Sequence, residues 1–489
     1  MTILSGRSFL ERHWAVFILI AALVRWGYVE LKVADQRAAH IPGRWYFYTP
    51  DTHSYMDPID QLITDGTYSP DYRMPGVGVP YWVFRQFGDR HAGMDAMVVF
   101  QAVLSGIGVY LIALLGLRLS GSYTTAVLLY ILALVSTYSC WYDTSMSSDS
   151  LSVSVLVIHV FLLQRSIDRR STILLLASGL FLTWIIFLRP VAALLLIPAP
   201  FLVLWFWSPK WSVKAVVLFL LPFAVLDTAW IVRNWRAHGQ FNPLTNEGIM
   251  PDEIDGRPRG YVMRFLQSYG GNYIWWEPGA DIRWMGMWEG SAAVDNEGRN
   301  AQEPPTYAYV PGYTRDSLLA LSERIRIFES GTLSVPDSLA IIEEVNDKLD
   351  RYTALYREGA PFNYHVLSRF RMIEYLVTQN GTETLFRRSF SEMPVWQKGF
   401  KVLQMLLYLF AYGVGAIAAF VMLWRWRRAG TLMVIWVPII VLYMTLVYPL
   451  ILRMAEWRFI VHVHPLMLLL ATCFTMAQVK LLLARRMAK

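Results

Sequence analysis

Residues 95–117 read DAMVVFQAVLSGIGVYLIALLGL, and after Asp95 no charged side chain appears until Arg118. At a rise of ~1.5 Å per residue, a helix over this run matches the roughly 30 Å of hydrocarbon at the centre of a bilayer. In lipid a single segment satisfies its own backbone polar groups only as a helix. Similar apolar runs lie at 14–33, 122–139, 150–165, 171–188, 191–207, 215–232, 400–424, 431–451 and 459–482. The chain therefore reads as an all-α, polytopic membrane protein of about ten transmembrane helices. Composition agrees. Of 489 residues, 55% are hydrophobic and 17% charged, against roughly a quarter charged in soluble domains. The 20 Trp and 26 Tyr suit two interfacial belts.

The net charge of +7 resides in basic residues between the apolar runs, so no nucleic-acid partner is expected. The two cysteines, Cys140 and Cys473, lie in or beside apolar stretches, which argues against a disulfide framework or a cysteine metal site. The N-terminal run lacks a small-residue cleavage site after Arg25 and reads as a retained first helix.

Basic residues set the orientation. With the N-terminus cytoplasmic, the inner segments carry Arg7 and Arg12, Arg118, then Arg165, Arg169 and Arg170, Lys210 and Lys214, then Arg425, Arg427 and Arg428, and finally Arg485, Arg486 and Lys489. Both termini are then inside and two long segments face outward, 34–94 and 233–398. The expected division is a transmembrane module over 1–232, a largely helical outer domain over 233–398 and C-terminal helices over 399–489. In the outer domain Leu318, Leu321, Ile325 and Phe328 form one apolar stripe, and Leu339, Ile342, Val345, Leu349 and Tyr352 another. Ser334 with Pro336 can start the second helix, and Gly359 with Pro361 can end it.

Ionisable groups near membrane depth are costly, so each is a candidate for function. Asp51, in Pro50-Asp51-Thr52-His53-Ser54-Tyr55, and Asp149, after Ser147-Ser148, fall at the same outer surface with Arg73, Arg189, Arg233 and Arg458. Arginine grips phosphate oxygens, and a carboxylate takes a proton from an attacking hydroxyl. Sugar transfer from a lipid phosphate needs that combination. Simpler readings stand beside it: an Asx turn for Asp51, a headgroup-seeking side chain for Arg73 and a helix N-cap for Asp149. Arg25, Glu30 and Lys32 read as a structural pairing within the bundle, and Asp227 has no evident role. Trp275, Trp276, Trp284 and Trp288 suit sugar stacking or, more simply, an interfacial belt. Asn380-Gly381-Thr382 fits a glycosylation acceptor.

The motifs occur in a familiar order: Asp51-x3-Tyr55, Gly66-Thr67-Tyr68, Arg73-Met74-Pro75-Gly76, Ser148-Asp149, Leu188-Arg189-Pro190, Ile231-Val232-Arg233-Asn234-Trp235 with Gly239-x-Phe241-x-Pro243-Leu244-Thr245, and Glu456-Trp457-Arg458-Phe459 with Pro465. The series resembles the GT-C glycosyltransferases of the protein mannosyltransferase-like and lipid A core (RgtA/B/C/D-type) kind, relatives of the aminoarabinose transferases. It covers roughly 1–245 and 400–475. Val77-Gly78-Val79-Pro80 departs from the family's Tyr-Pro, and Asp149 replaces its commoner Glu.

The resemblance implies a GT-C fold and transfer of a hexosyl or pentosyl group, with inversion, from a polyprenyl-phosphate sugar to a hydroxyl or amine of a lipid A core, glycan, lipid or protein acceptor. It implies Asp51 as general base, Asp149 as second catalytic carboxylate, and Arg73, Arg189 and Arg458 on the donor phosphate. Tyr55, His53, Arg233, Asn234 and Glu456 would bind substrate. No metal or other cofactor is expected, since His462 and His464 lack a third ligand nearby. Membrane lipids are the remaining partners. The implied location is a bacterial inner membrane or plasma membrane with the site periplasmic or extracellular. A transporter or flippase is the alternative, although such folds commonly show repeated halves; a scaffold built on the outer domain is a third reading.

Overall fold

A computed structural model describes residues 9–36, 41–49, 51–70, 73–207, 212–239, 241–244, 259–271, 304–378, 385–386, 388, 390–425 and 431–487. Trp275, Trp276, Trp284, Trp288 and Asn380–Thr382 lie outside the described residues, as do Pro50, Arg7, Lys210, Arg427, Arg428 and Lys489.

The chain is an all-α, multi-pass membrane protein. Seven helices among the described residues are long and apolar enough to cross a bilayer: Trp14–Asp35, Arg90–Ser120, Ser148–Arg169, Ser212–His238, Val395–Trp424, Leu432–Leu452 and Arg458–Met487. The shorter apolar helices Tyr123–Val135, Thr172–Leu188 and Pro190–Phe206 occupy the other three runs read from the sequence. The difference is one of length. Tyr123–Val135 has 13 residues, about 20 Å at ~1.5 Å each, which falls short of the hydrocarbon thickness.

Two compact units compose the chain. The first contains Met1–Ile249, Asn380–Thr445 and Ile460–Lys489, and the second Met250–Gln379 with Leu446–Phe459. In the first unit, helix Trp14–Asp35 packs on Arg90–Ser120, where a Cβ on Gly106 would lie 2.7 Å from the Ala22 nitrogen. Only glycine allows the two backbones this proximity, the packing mode favoured between helices in lipid.

Polar atoms close the end of the short helix. Arg25 donates to the carbonyls of Ser136 at 2.7 Å and Ala133 at 2.8 Å, satisfying acceptors that a helix C-terminus leaves open. Lys32 donates to Trp141 O at 2.9 Å and Thr144 Oγ1 at 2.6 Å, with its ammonium 3.4 Å from the Trp141 ring centroid. These contacts replace the pairing expected of Arg25, Glu30 and Lys32; Glu30 is exposed. The cations went to carbonyls because a helix ending at membrane depth leaves acceptors in need of donors; the Tyr28 hydroxyl and the Gln404 amide serve others of them at Leu134 and Val135. Asp227 also gains an account. It accepts the Leu244 N–H at 3.2 Å and so holds the turn after Ser212–His238.

In the second unit, Arg259–Tyr269, Arg315–Glu329 and Val335–Gly359 enclose a core that includes Phe265, Leu318, Leu321, Ile325, Val345, Leu349 and Tyr356. Ser334 caps the last of these helices, accepting from the Asp337 N–H. The second stripe is rotated from its sequence reading. Ile341 is buried in place of Ile342, and Leu339 is 59% exposed. The buried residues Ile341, Val345 and Leu349 follow at intervals of four, and Leu339 falls off that face.

Candidate active site

The site is built from the segment after the first helix, entirely within the first unit. Phe47 bridges to Ser145, its N–H donating to Thr144 O at 2.8 Å. This seats the incoming chain on the connection between Tyr123–Val135 and Ser148–Arg169. Thr52 anchors the next turn, accepting from Thr49 N–H at 2.8 Å and donating to Met146 O at 3.3 Å. Helix Thr52–Thr64 then begins, with Asp51 in the N-cap position but making no side-chain cap bond.

Asp51 instead meets Arg73. The Arg73 Nη2 donates to Asp51 Oδ1 at 2.6 Å, Nη1 to the Tyr55 hydroxyl at 3.2 Å and Nε to Ser54 Oγ at 3.3 Å. The guanidinium also lies 4.9 Å from the Tyr55 ring centroid. One turn of helix thus presents Asp51, Ser54 and Tyr55 to a single arginine 18 to 22 residues later, and both charged side chains remain partly exposed, 18% and 24%. The Asx-turn reading of Asp51 does not describe this geometry.

Gly76 explains how Arg73 is positioned. Its carbonyl accepts the Trp184 indole N–H at 2.8 Å, and a Cβ there would lie 2.6 Å from Phe187 O. The loop therefore lies flat on the end of helix Thr172–Leu188, where Arg189 follows. Arg189 pairs with Asp149, which is fully buried and also accepts from Ser147 Oγ at 2.8 Å. The N-cap of Ser148–Arg169 is Ser147, so Asp149 lies within the first turn with its carboxylate on Arg189. The Tyr55 hydroxyl, which Arg73 contacts, donates to Ser148 Oγ at 3.3 Å, on the residue next to Asp149 in the chain.

The other residues singled out from the sequence separate. His53 is exposed, stacked on Tyr48 at 5.7 Å with Nδ1 3.3 Å from Asp57. Arg233 donates to the carbonyls of Pro70 at 3.2 Å and Tyr68 at 3.4 Å, and Asn234 to Asn242 O at 3.1 Å. Both tie chain segments together. Glu456 and Arg458 belong to the second unit, at the start of the short helix Trp457–Ile460.

Sequence reasoning missed two groups. Arg90 bonds Asp57 at 2.6 Å and Asp60 at 3.0 Å, while Arg85 bonds Asp60 at 2.8 Å. This network clamps helix Thr52–Thr64 to the start of Arg90–Ser120. The carboxylates at i and i+3 on one helix were its only signal. Asp143, 1% exposed, accepts from Ser150 Oγ at 2.6 Å. Burial pushes its carboxyl up to about 7, against the opposing influence of Arg25 and the hydrogen bonds from Ser150 and Ser105. Among the described residues no three His, Cys, Asp or Glu side chains group in a way that could hold a metal ion.

No protein-family model matches the chain, and no curated protein matches it. Among solved structures it is similar to the archaeal oligosaccharyltransferase AglB from Archaeoglobus fulgidus, in complex with an inhibitory peptide and a dolichol-phosphate, with a TM-score of 0.47 at 11% identity. That superposition takes in 98% of this chain and 52% of the other, so this chain spans about half its length. The chemistry of the site is therefore read from its own residues. A guanidinium that engages a carboxylate, two hydroxyl-bearing side chains and an aromatic face can exchange one of them for a phosphate, leaving the carboxylate to accept a proton.

Proposed function

We propose that this chain is a GT-C glycosyltransferase that moves a sugar from a polyprenyl-phosphate donor to a hydroxyl or amine of an acceptor on the outer face of its membrane. The observation that carries this reading is the partly exposed Asp51–Arg73 pair, whose Tyr55 partner bonds Ser148 beside the buried Asp149–Arg189 pair. Asp51 takes the proton as the acceptor oxygen or nitrogen attacks the anomeric carbon. The bond from that carbon to the phosphate oxygen breaks, and its electron pair leaves with the polyprenyl phosphate. Arg73 meets the charge that develops there, with Arg189 as a further phosphate contact.

Asp149 holds Arg189 in position. Arg233 and Asn234 support the segment leading to Arg73, and His53 and Tyr55 complete the substrate contacts. Metal independence, inversion at the anomeric carbon and cytoplasmic termini belong to the same proposal, drawn from the family resemblance and the distribution of basic residues.

Asp51→Asn tests the assignment in membranes supplied with radiolabelled polyprenyl-phosphate hexoses and pentoses. The amide keeps shape but has no basicity, so transfer is expected to fall by about 10²–10⁴-fold. Transfer at the wild-type rate refutes Asp51 as the base.

A further inference from the structure

A second pair of guanidiniums lies in the second unit and takes no part in the transfer chemistry above. Arg453 ends the π-helical turn Tyr448–Leu452 in the left-handed region, at φ +53°. Glycine fills that position at lowest cost, and a side chain with a Cβ is disfavoured there. The retained side chain places its guanidinium 4.1 Å from the Tyr364 ring centroid. Arg369 engages the backbone of the same residue. Its Nη1 donates to Tyr364 O and His365 O at 2.8 Å each, and its Nε to Leu450 O at 3.1 Å.

Tyr364 thus collects two cations, one on its ring and one on its carbonyl. Neither arginine forms an ion pair with another described residue, and both are partly exposed. Burial, and after it the Arg453 charge, lower the Arg369 pKa. Like charges held together by neutral carbonyls and an aromatic face are stabilised when an anion joins them. Arg453 also directly follows Leu432–Leu452, a helix long and apolar enough to cross a bilayer, which sets it at the level of lipid headgroups.

We propose that Arg369 and Arg453 form a phosphate-binding site, taking a phosphomonoester from a lipid headgroup or inorganic phosphate from solution. Phosphate is the chemistry indicated because its several oxygens can accept from the Arg453 guanidinium and from Arg369 Nη2 at once. The site stands whether or not the transferase reading holds.

The test uses the full chain in phosphatidylcholine nanodiscs, with wild type, Arg453→Gly and Arg453→Gln. Glycine suits the left-handed turn, so that variant removes the guanidinium while keeping the backbone. Inorganic phosphate is titrated against chloride at matched ionic strength, and phosphatidic acid is added to a second set of discs with native mass spectrometry as the readout. Wild type is expected to bind at least one of these probes, and both variants to bind it about tenfold or more weakly. Retention of phosphatidic acid by wild type identifies a headgroup; stabilisation by inorganic phosphate alone identifies a soluble ligand. Equal binding by wild type and both variants, or no binding by wild type above the chloride control, overturns the site.

Discussion

Replacing Arg189 by glutamine isolates the contribution of the inner ion pair. Asp149 has no exposed side-chain surface, and Arg189 is 11% exposed. Once the guanidinium is gone, the described support for the carboxylate includes one hydroxyl, Ser147 Oγ at 2.8 Å. A buried charge stripped of its partner destabilises by about 3–5 kcal/mol, far more than the net worth of the pair. Changing both partners, Asp149→Asn with Arg189→Gln, removes the charge itself and leaves two amides able to bond, so most of that loss should return. The assay is a double-mutant cycle on thermal unfolding in detergent, with Asp149→Asn as the fourth corner. The expected order of stability is wild type or the double variant highest and Arg189→Gln lowest. If Arg189→Gln melts with the wild type, or the double variant is no more stable than Arg189→Gln, then Asp149 is not a buried carboxylate dependent on this arginine.

Three other changes probe the loop. Arg73→Lys keeps the charge but loses the fork that reaches Asp51, Ser54 and Tyr55 together; labelled-donor assays should show transfer reduced about tenfold or more, while stability moves by no more than about 1 kcal/mol because the pair is partly exposed. Gly76→Ala drives a methyl group against the Phe187 carbonyl, 2.6 Å away, and should cost about 1–3 kcal/mol and expose the 66–78 segment to limited proteolysis. Asp143 gives a pH signature. Its folded carboxyl is raised to about 7, above its ordinary value, so the proton it holds stabilises the fold at low pH. That stability is fully present below the ordinary carboxylate pKa and is lost as pH rises through about 7. The wild-type melting temperature should therefore decline over that interval, and Asp143→Asn should flatten the decline.

The ten apolar runs were legible because lipid imposes a length and a composition on every crossing, and both are local properties of sequence. One helix start was legible for the same reason. Ser334, read as the start of the second outer-domain helix, accepts from the Asp337 N–H; Ser122 and Ser171 cap their helices in the same way without having been singled out. The meeting of Asp51 with Arg73 lay within reach, since both occur in one short outer segment with a turn between them. Contacts across longer separations had no such signal. Nothing periodic links Asp149 to Arg189, 40 residues on, or Arg25 to Ser136, 111 residues on. Asp143 was overlooked because its surroundings come from distant parts of the chain, such as Gln101, which donates to its carbonyl at 2.9 Å from another helix. The Ile341 register was off by one position, because the buried face of that helix runs through Ile341, Val345 and Leu349 at intervals of four.

The contacts of Arg25 and Lys32 bear on assembly. Carbonyls at the end of the helix that finishes at Val135, and just beyond it, take donors from Trp14–Asp35 through Arg25 and Tyr28 and from Val395–Leu409 through Gln404. In a bilayer a helix that ends short needs such donors, so its short form becomes favourable only once these neighbours are beside it. The connection carrying Ser145, Ser147 and Ser148 gains its place at the same moment, and with it the floor on which Phe47, Thr52 and Tyr55 come to rest. Severing the first helix from the chain would therefore dismantle the ground beneath Asp51 without touching a residue of the loop itself.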